Sequence, residues 1–193
     1  MSSSTSDVTI INGALAKIGL KRIDSRGENS EQSRLADDTY DDLLDAVLTD
    51  APWDFAITRQ ELSENATAPL FDFEHAYNLP GTPYCLKPLE IINLNEYEWR
   101  VEGRKIVTGH EAPLQLIYIA RITDESVYTP QFIEAFQARL ALEWSERLTR
   151  NTEITKLMVA LYAEKIAAAK AIEAGQTGLH ADGPDGTWVT SRI

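Results

Sequence analysis

The 193-residue chain has one cysteine, Cys85. That excludes an internal disulfide, a cysteine-built zinc site and a paired-cysteine redox centre, and the expectation is a reducing compartment. Histidine is almost as scarce. His75, His110 and His180 stand far apart, none three or four residues from another, so no metal-ligand spacing is present. No run approaches the roughly 18 apolar residues of a membrane span, and Met1 to Ser6 has neither the basic start nor the apolar core of a secretory signal. The expectation is a soluble product of the cytoplasm with no membrane association. Basic charge is in deficit as well: 18 Lys and Arg against 30 Asp and Glu leave −12, whereas a protein that grips phosphates needs a basic stripe. Phosphate-loop, dinucleotide, nucleophile-elbow, zinc-protease and calcium-loop motifs are all missing. No cofactor and no metal are expected.

What is present is unevenly placed. Between Asp24 and Glu64 lie twelve acidic residues and only Arg26, Arg34 and Arg59, so −9 of the −12 belongs to that segment. Helical spacing of Val8, Ile11, Leu15 and Ile18 predicts a first helix over 7–18, capped by Ser6 or Asp7 and stopped by Gly19. A second, over 31–50, has Leu35, Tyr40, Leu43, Leu44, Val47 and Leu48 on one face and Asp38, Asp41, Asp42 and Asp45 on the other. Asn29 and Gln32 are expected as its capping box, and Pro52 ends it. Short runs broken by Pro, Gly and Asn then predict strands over 55–62, 75–79, 88–94, 97–101, 105–108 and 114–122, with a hairpin turning at Glu102-Gly103-Arg104. Thr129 and Pro130 open a third helix, whose Phe132, Phe136 and Trp144 read as core. A fourth, alanine-rich, is expected from about 153 to 174, closed by Gly175.

The fold class read from this order is α+β. A four-helix bundle is formed by the N- and C-terminal helix pairs (7–54 and 129–175), with a β-rich insertion at 55–128 and a flexible C-terminal tail at 176–193. No acid–base pair stands out among the abundant carboxylates, and no catalytic residues are assigned. Cys85 reads as a small buried hydrophobe. The aspartate face reads either as a solvated helix surface or as an acidic wall that repels DNA or meets a basic partner. In the polar tail, Trp188, Val189, Arg192 and Ile193 look like an anchor on a tether. A small carboxylate-using enzyme and a regulatory or chaperone-like module are the rival classes.

The succession Val8-Thr9-Ile10-Ile11-Asn12-Gly13-Ala14-Leu15-Ala16-Lys17-Ile18-Gly19, the helix through Tyr40 to Ala46, and Ala51-Pro52-Trp53-Asp54-Phe55-Ala56 resembles the front half of the tail tubular protein A-like head-to-tail adaptors of tailed bacteriophages. Tyr77-Asn78-Leu79-Pro80, the hairpin with Gly103, Tyr118-Ile119-Ala120 and Pro130-Gln131-Phe132 continue the likeness over about residues 7–175. The resemblance implies a non-enzymatic virion protein, assembled in the host cytoplasm as a ring of about twelve copies between the portal protein and the tail nozzle or tube. Double-stranded DNA would pass through it without specific binding. On that basis Asp38, Asp41, Asp42 and Asp45 are candidates for a channel or interface face, Glu102, Gly103 and Arg104 for a tail-facing hairpin, and Trp188, Val189, Arg192 and Ile193 for portal docking.

Overall fold

Ser6 begins the regular structure: its hydroxyl accepts the Thr9 N–H at 3.3 Å, and α1 follows over Asp7–Lys17. The structure is a computed structural model that describes residues 6–181, with side chains to residue 172. Helix α2 spans Glu31–Asp50 and is capped by Ser30, which accepts the Ser33 N–H at 3.1 Å. The expected box of Asn29 and Gln32 does not form, because Asn29 accepts from Arg34 at 2.7 Å instead. Helix α3 covers Pro130–Thr149 behind its Thr129 cap, and Arg150, at φ +52, turns the chain into α4, Thr152–Ala181. Helix α4 therefore runs past Gly175. A glycine costs a helix only about 1 kcal/mol relative to alanine, and no proline follows before Pro184.

The helices do not make a simple four-helix bundle of two paired hairpins. All six strands separate α2 from α3 along the chain, and α3 is the hub on which α1, α2 and α4 each pack. All three run opposite to it. Gly13 lies against Gln137 while the Lys17 charge acts on Glu134. Trp144 donates to the Thr39 hydroxyl at 2.9 Å, whereas Trp53, beyond the end of α2, packs on Phe132. Thr155 meets Ser145 at 2.9 Å and Lys165 meets Glu134 at 2.7 Å. Consecutive α1 and α2 are thus parallel, so residues 18–30 must carry the chain back along α1. The amphipathic stripes identified the buried faces, but a stripe carries no information on which neighbour covers it or in which direction.

The return segment is pinned by a buried amide. Asn12, 6% exposed, donates to the Ile23 carbonyl at 2.9 Å and accepts the Ile23 N–H at 2.8 Å, as a neighbouring strand would. Nearby, Tyr40 is 3% exposed and its hydroxyl has no partner among the described residues, a cost the surrounding core absorbs.

The β-rich insertion comprises two three-stranded sheets. Strands β1 (Ile57–Leu62), β6 (Leu114–Ala120) and β3 (Cys85–Ile91) form one antiparallel sheet. The other contains β2 (His75–Asn78), β5 (Lys105–Thr108) and β4 (Trp99–Glu102). Alternation turns Leu116 and Tyr118 of the first sheet toward Tyr77 and Ile106 of the second, with Cys85 in the same core. The β4–β5 hairpin pairs Glu102 with Lys105, and Gly103, at φ +60, supplies the positive φ that a two-residue turn requires. Strand β3 begins three residues earlier than periodicity suggested. Pro88 lies inside it, tolerated because β3 is an edge strand with register shifts on both sides.

Asn12→Ala leaves the Ile23 N–H and C=O buried without partners and is expected to destabilise the fold by roughly 2–4 kcal/mol. Urea unfolding followed by circular dichroism measures this, and a loss below that range would show that water satisfies the Ile23 peptide.

Candidate functional site

The aspartates of α2 divide into two groups. Asp38, Asp41 and Asp42 are solvent-exposed and take part in no ion pair among the described residues. Asp45 is different. Its carboxylate, 21% exposed, receives the Arg121 guanidinium through two nitrogens and ties α2 to the end of β6. Asp37, at the same helix surface, pairs with Arg26 at 3.0 Å, and Arg26 also reaches Asp7 at 3.5 Å and lies over the Tyr40 ring at 4.8 Å. The free acidic surface is thus three residues wide, flanked on either side by arginine-held aspartates.

The Arg121 link continues outward. Its guanidinium lies 5.4 Å from the Tyr84 ring centre, and Arg104 covers the same ring at 3.9 Å. Arg104 also donates to the carbonyls of Cys85 at 2.7 Å and Pro80 at 2.8 Å. In the candidate hairpin, Glu102, Gly103 and Arg104 are all exposed, and the Arg104 guanidinium ties the turn to β3 and to Pro80, a placement that no local pattern announces. Tyr84 and Arg121 escaped sequence reading for the same reason: their partners are 76 residues apart for Arg121–Asp45 and lie across the fold.

Two histidines gather at one corner of the second sheet. His75 Nδ1 meets Glu64 at 2.7 Å, and His110 Nε2 meets Glu98 at 3.4 Å. The hydrogen bond to Glu64 is the main cause that raises the His75 pKa above the usual 6.5, with Glu74 and Glu111 adding to it. The Asn95 N–H, then the Asn95 side chain and His110, lower the pKa of Glu98. Among the described residues no group of three or more His, Cys, Asp or Glu side chains could hold a metal ion. Burial pushes the Cys85 thiol up to about 11, which leaves it unreactive.

On α4, Met158 and Ala169 are buried against the hub, while Leu157, Val159, Ala160, Ala167, Ala168 and Ile172 are exposed. No described helix is long and apolar enough to cross a membrane. Trp188, Val189, Arg192 and Ile193 lie outside the described residues. No protein-family model matches the chain, and no curated protein matches it.

Replacing Asp38, Asp41 and Asp42 together by asparagine is expected to change stability by less than about 0.5 kcal/mol. Asp45→Asn should cost roughly 0.5–1 kcal/mol, as befits a half-exposed bidentate pair. Parallel denaturation curves test the contrast, which equal effects would contradict. His75 has its own signature. A raised folded-state pKa means that the stabilisation is full below 6.5 and is lost as pH climbs through the higher value. His75→Gln should therefore flatten the decline in melting temperature across that window; an unchanged slope would assign it to other groups.

Proposed function

We propose that this chain is a structural virion protein, a head-to-tail adaptor of the tail tubular protein A-like type that forms a ring between the portal protein and the tail nozzle or tube of a tailed bacteriophage. The observation that carries it is the order and spacing of the segments from Val8 to Gly19, through Ala51-Pro52-Trp53, to Pro130-Gln131-Phe132. Two features of the molecule support it. A ring closes through repeated contacts between two different faces of each copy, and the hub arrangement leaves two unlike helical surfaces free: the acidic side of α2 and the aliphatic, small-residue side of α4. A conduit for DNA needs a wall to which phosphates do not adhere. Asp38, Asp41 and Asp42 supply a repulsive field that reaches about 8 Å at physiological salt.

The ring has about twelve copies in the particle, and free protein joins it on the portal as template. The residues beyond Ala181, repeated around such a ring, add many weak portal contacts that act together. DNA is cargo and is not bound specifically.

Electron microscopy of the protein mixed with the portal of its own phage is the direct test. Ring density beneath the portal is expected, weakened when the chain stops at Ala181, and present but slower to pass DNA when Asp38, Asp41 and Asp42 are asparagine. Purified particles that lack this chain would sink the proposal.

A further inference from the structure

The segment joining β1 to β2 carries two adjacent, strongly exposed apolar side chains. Leu70 is 96% exposed and Phe71 is 75% exposed. They are held there by a tight turn: the Phe73 N–H bonds the Phe71 carbonyl at 2.9 Å around Asp72, whose φ is +69. A hydrogen-bonded turn of this hand is strained and rare, and such strain persists only where the surroundings impose it. Arg100 of β4, 5.8 Å from the Phe73 ring, anchors the base of the turn. The segment lies over Ala76 and Val107, both buried, and leaves a cleft of about 260 Å³ between Leu70, Phe71 and Lys105.

A receptacle of matching character lies on the other side of the β-rich unit. On the β1–β6 sheet a cleft of about 280 Å³ is lined by Arg59, Gln60, Glu61 and Gln115 around the aliphatic Ile92, Leu116 and Ile117, and Gln115 holds the Glu61 carboxylate at 3.1 Å. The cleft opens to solvent, and Ile92, Leu116 and Ile117 give it the apolar surface against which a phenyl ring can lie. One ion pair is available as well, since Glu61 is engaged by Gln115 and Arg59 is not engaged by any carboxylate among the described residues. Asp72 adjoins Phe71 at the tip, Arg59 stands at the cleft, both are exposed, and neither has an ion-pair partner among the described residues.

The two features face opposite ways. Tyr77, Ile106, Leu116 and Tyr118 occupy the inner faces of the two sheets, so alternation places Val107 and Lys105 on one outer face and Arg59 and Ile117 on the other. A knob and a hole on opposite faces of one molecule cannot satisfy each other within that molecule. Repeated from copy to copy, they give a heterologous contact that closes into a ring when the rotation permits.

We infer that the Leu70–Phe71 tip inserts into the Arg59–Ile92–Ile117 cleft of a second copy of this chain, with Asp72 paired to Arg59. The occupant rests on the available ion pair and the apolar surface of the cleft and, for ring closure, on the adaptor proposal above; the contact itself is tested without portal or DNA.

Phe71→Cys and Ile92→Cys proteins are prepared separately, mixed, and exposed to a mild oxidant, which traps even short-lived encounters. Cys85 is fully buried and does not compete. The mixed 71–92 disulfide dimer is expected to exceed the 71–71 and 92–92 dimers at least fivefold. Adding Asp72→Arg to the first protein should remove that excess, and Arg59→Asp in the second should restore it. Statistical yields of all three dimers would overturn the inference and leave the tip to close on its own sheet. An excess that is indifferent to the charge swap would overturn the Asp72–Arg59 pairing. Ring density on the portal without the mixed disulfide would sink this contact and leave the adaptor proposal standing; the mixed disulfide without portal binding would do the reverse.

Discussion

Where the chain leaves the helices for the sheets and where it comes back, it passes through one aromatic cluster, and the remaining architecture hangs on that junction. Trp53 and Phe55 lie on the outgoing path, Tyr128 and Phe132 on the return. Trp53 meets Phe132 edge-on at 5.1 Å, Phe55 meets Phe132 at 5.0 Å, and Tyr128 meets Phe132 at 4.7 Å. Such pairs contribute about 0.5–1.5 kcal/mol each beyond the area they bury. The ring of Phe136 extends the cluster to Tyr40, 5.0 Å away on α2. Because Phe132 and Phe136 belong to the hub helix, the contact that joins helices to sheets also orders the helices around α3.

Polar ties then set directions that apolar packing leaves free. Trp53 Nε1 donates to the Val47 carbonyl at 2.8 Å, Trp144 to Thr39 at 2.9 Å, and Asn12 to the Ile23 backbone. Each buries a donor that would cost free energy if the helix slid or reversed. The Asp45–Arg121 pair, between the end of β6 and the middle of α2, fixes the sheet against the helices in the same way. The acidic helix is therefore divided: Asp37 and Asp45 hold the molecule together, and Asp38, Asp41 and Asp42 are exposed, with no ion pair among the described residues.

The surface is divided between different chemistries. Helix α2 presents carboxylates, helix α4 presents aliphatic and small side chains, and the sheets present a protruding apolar tip on one side with a cleft on the other. Among the described residues these unlike faces are the ones on which the proposed ring assembly draws.

Local signals determined most of the elements. The caps at Ser6 and Thr129, the turn at Gly103, the limits of α2 and the aromatic stripe of α3 follow from the preferences of single residues and their neighbours. The concentration of −9 charge between residues 24 and 64 was equally visible in the chain. Only tertiary structure decided that three helices oppose a fourth, that the strands divide into two sheets, that α4 continues past Gly175, and that Asp45 and Arg104 tie distant segments together. Those outcomes depend on partners far apart in sequence, such as Asp45 with Arg121 and Asn12 with the return segment. Periodicity states which side of an element avoids water; the identity and direction of what covers it emerge only when the whole core closes.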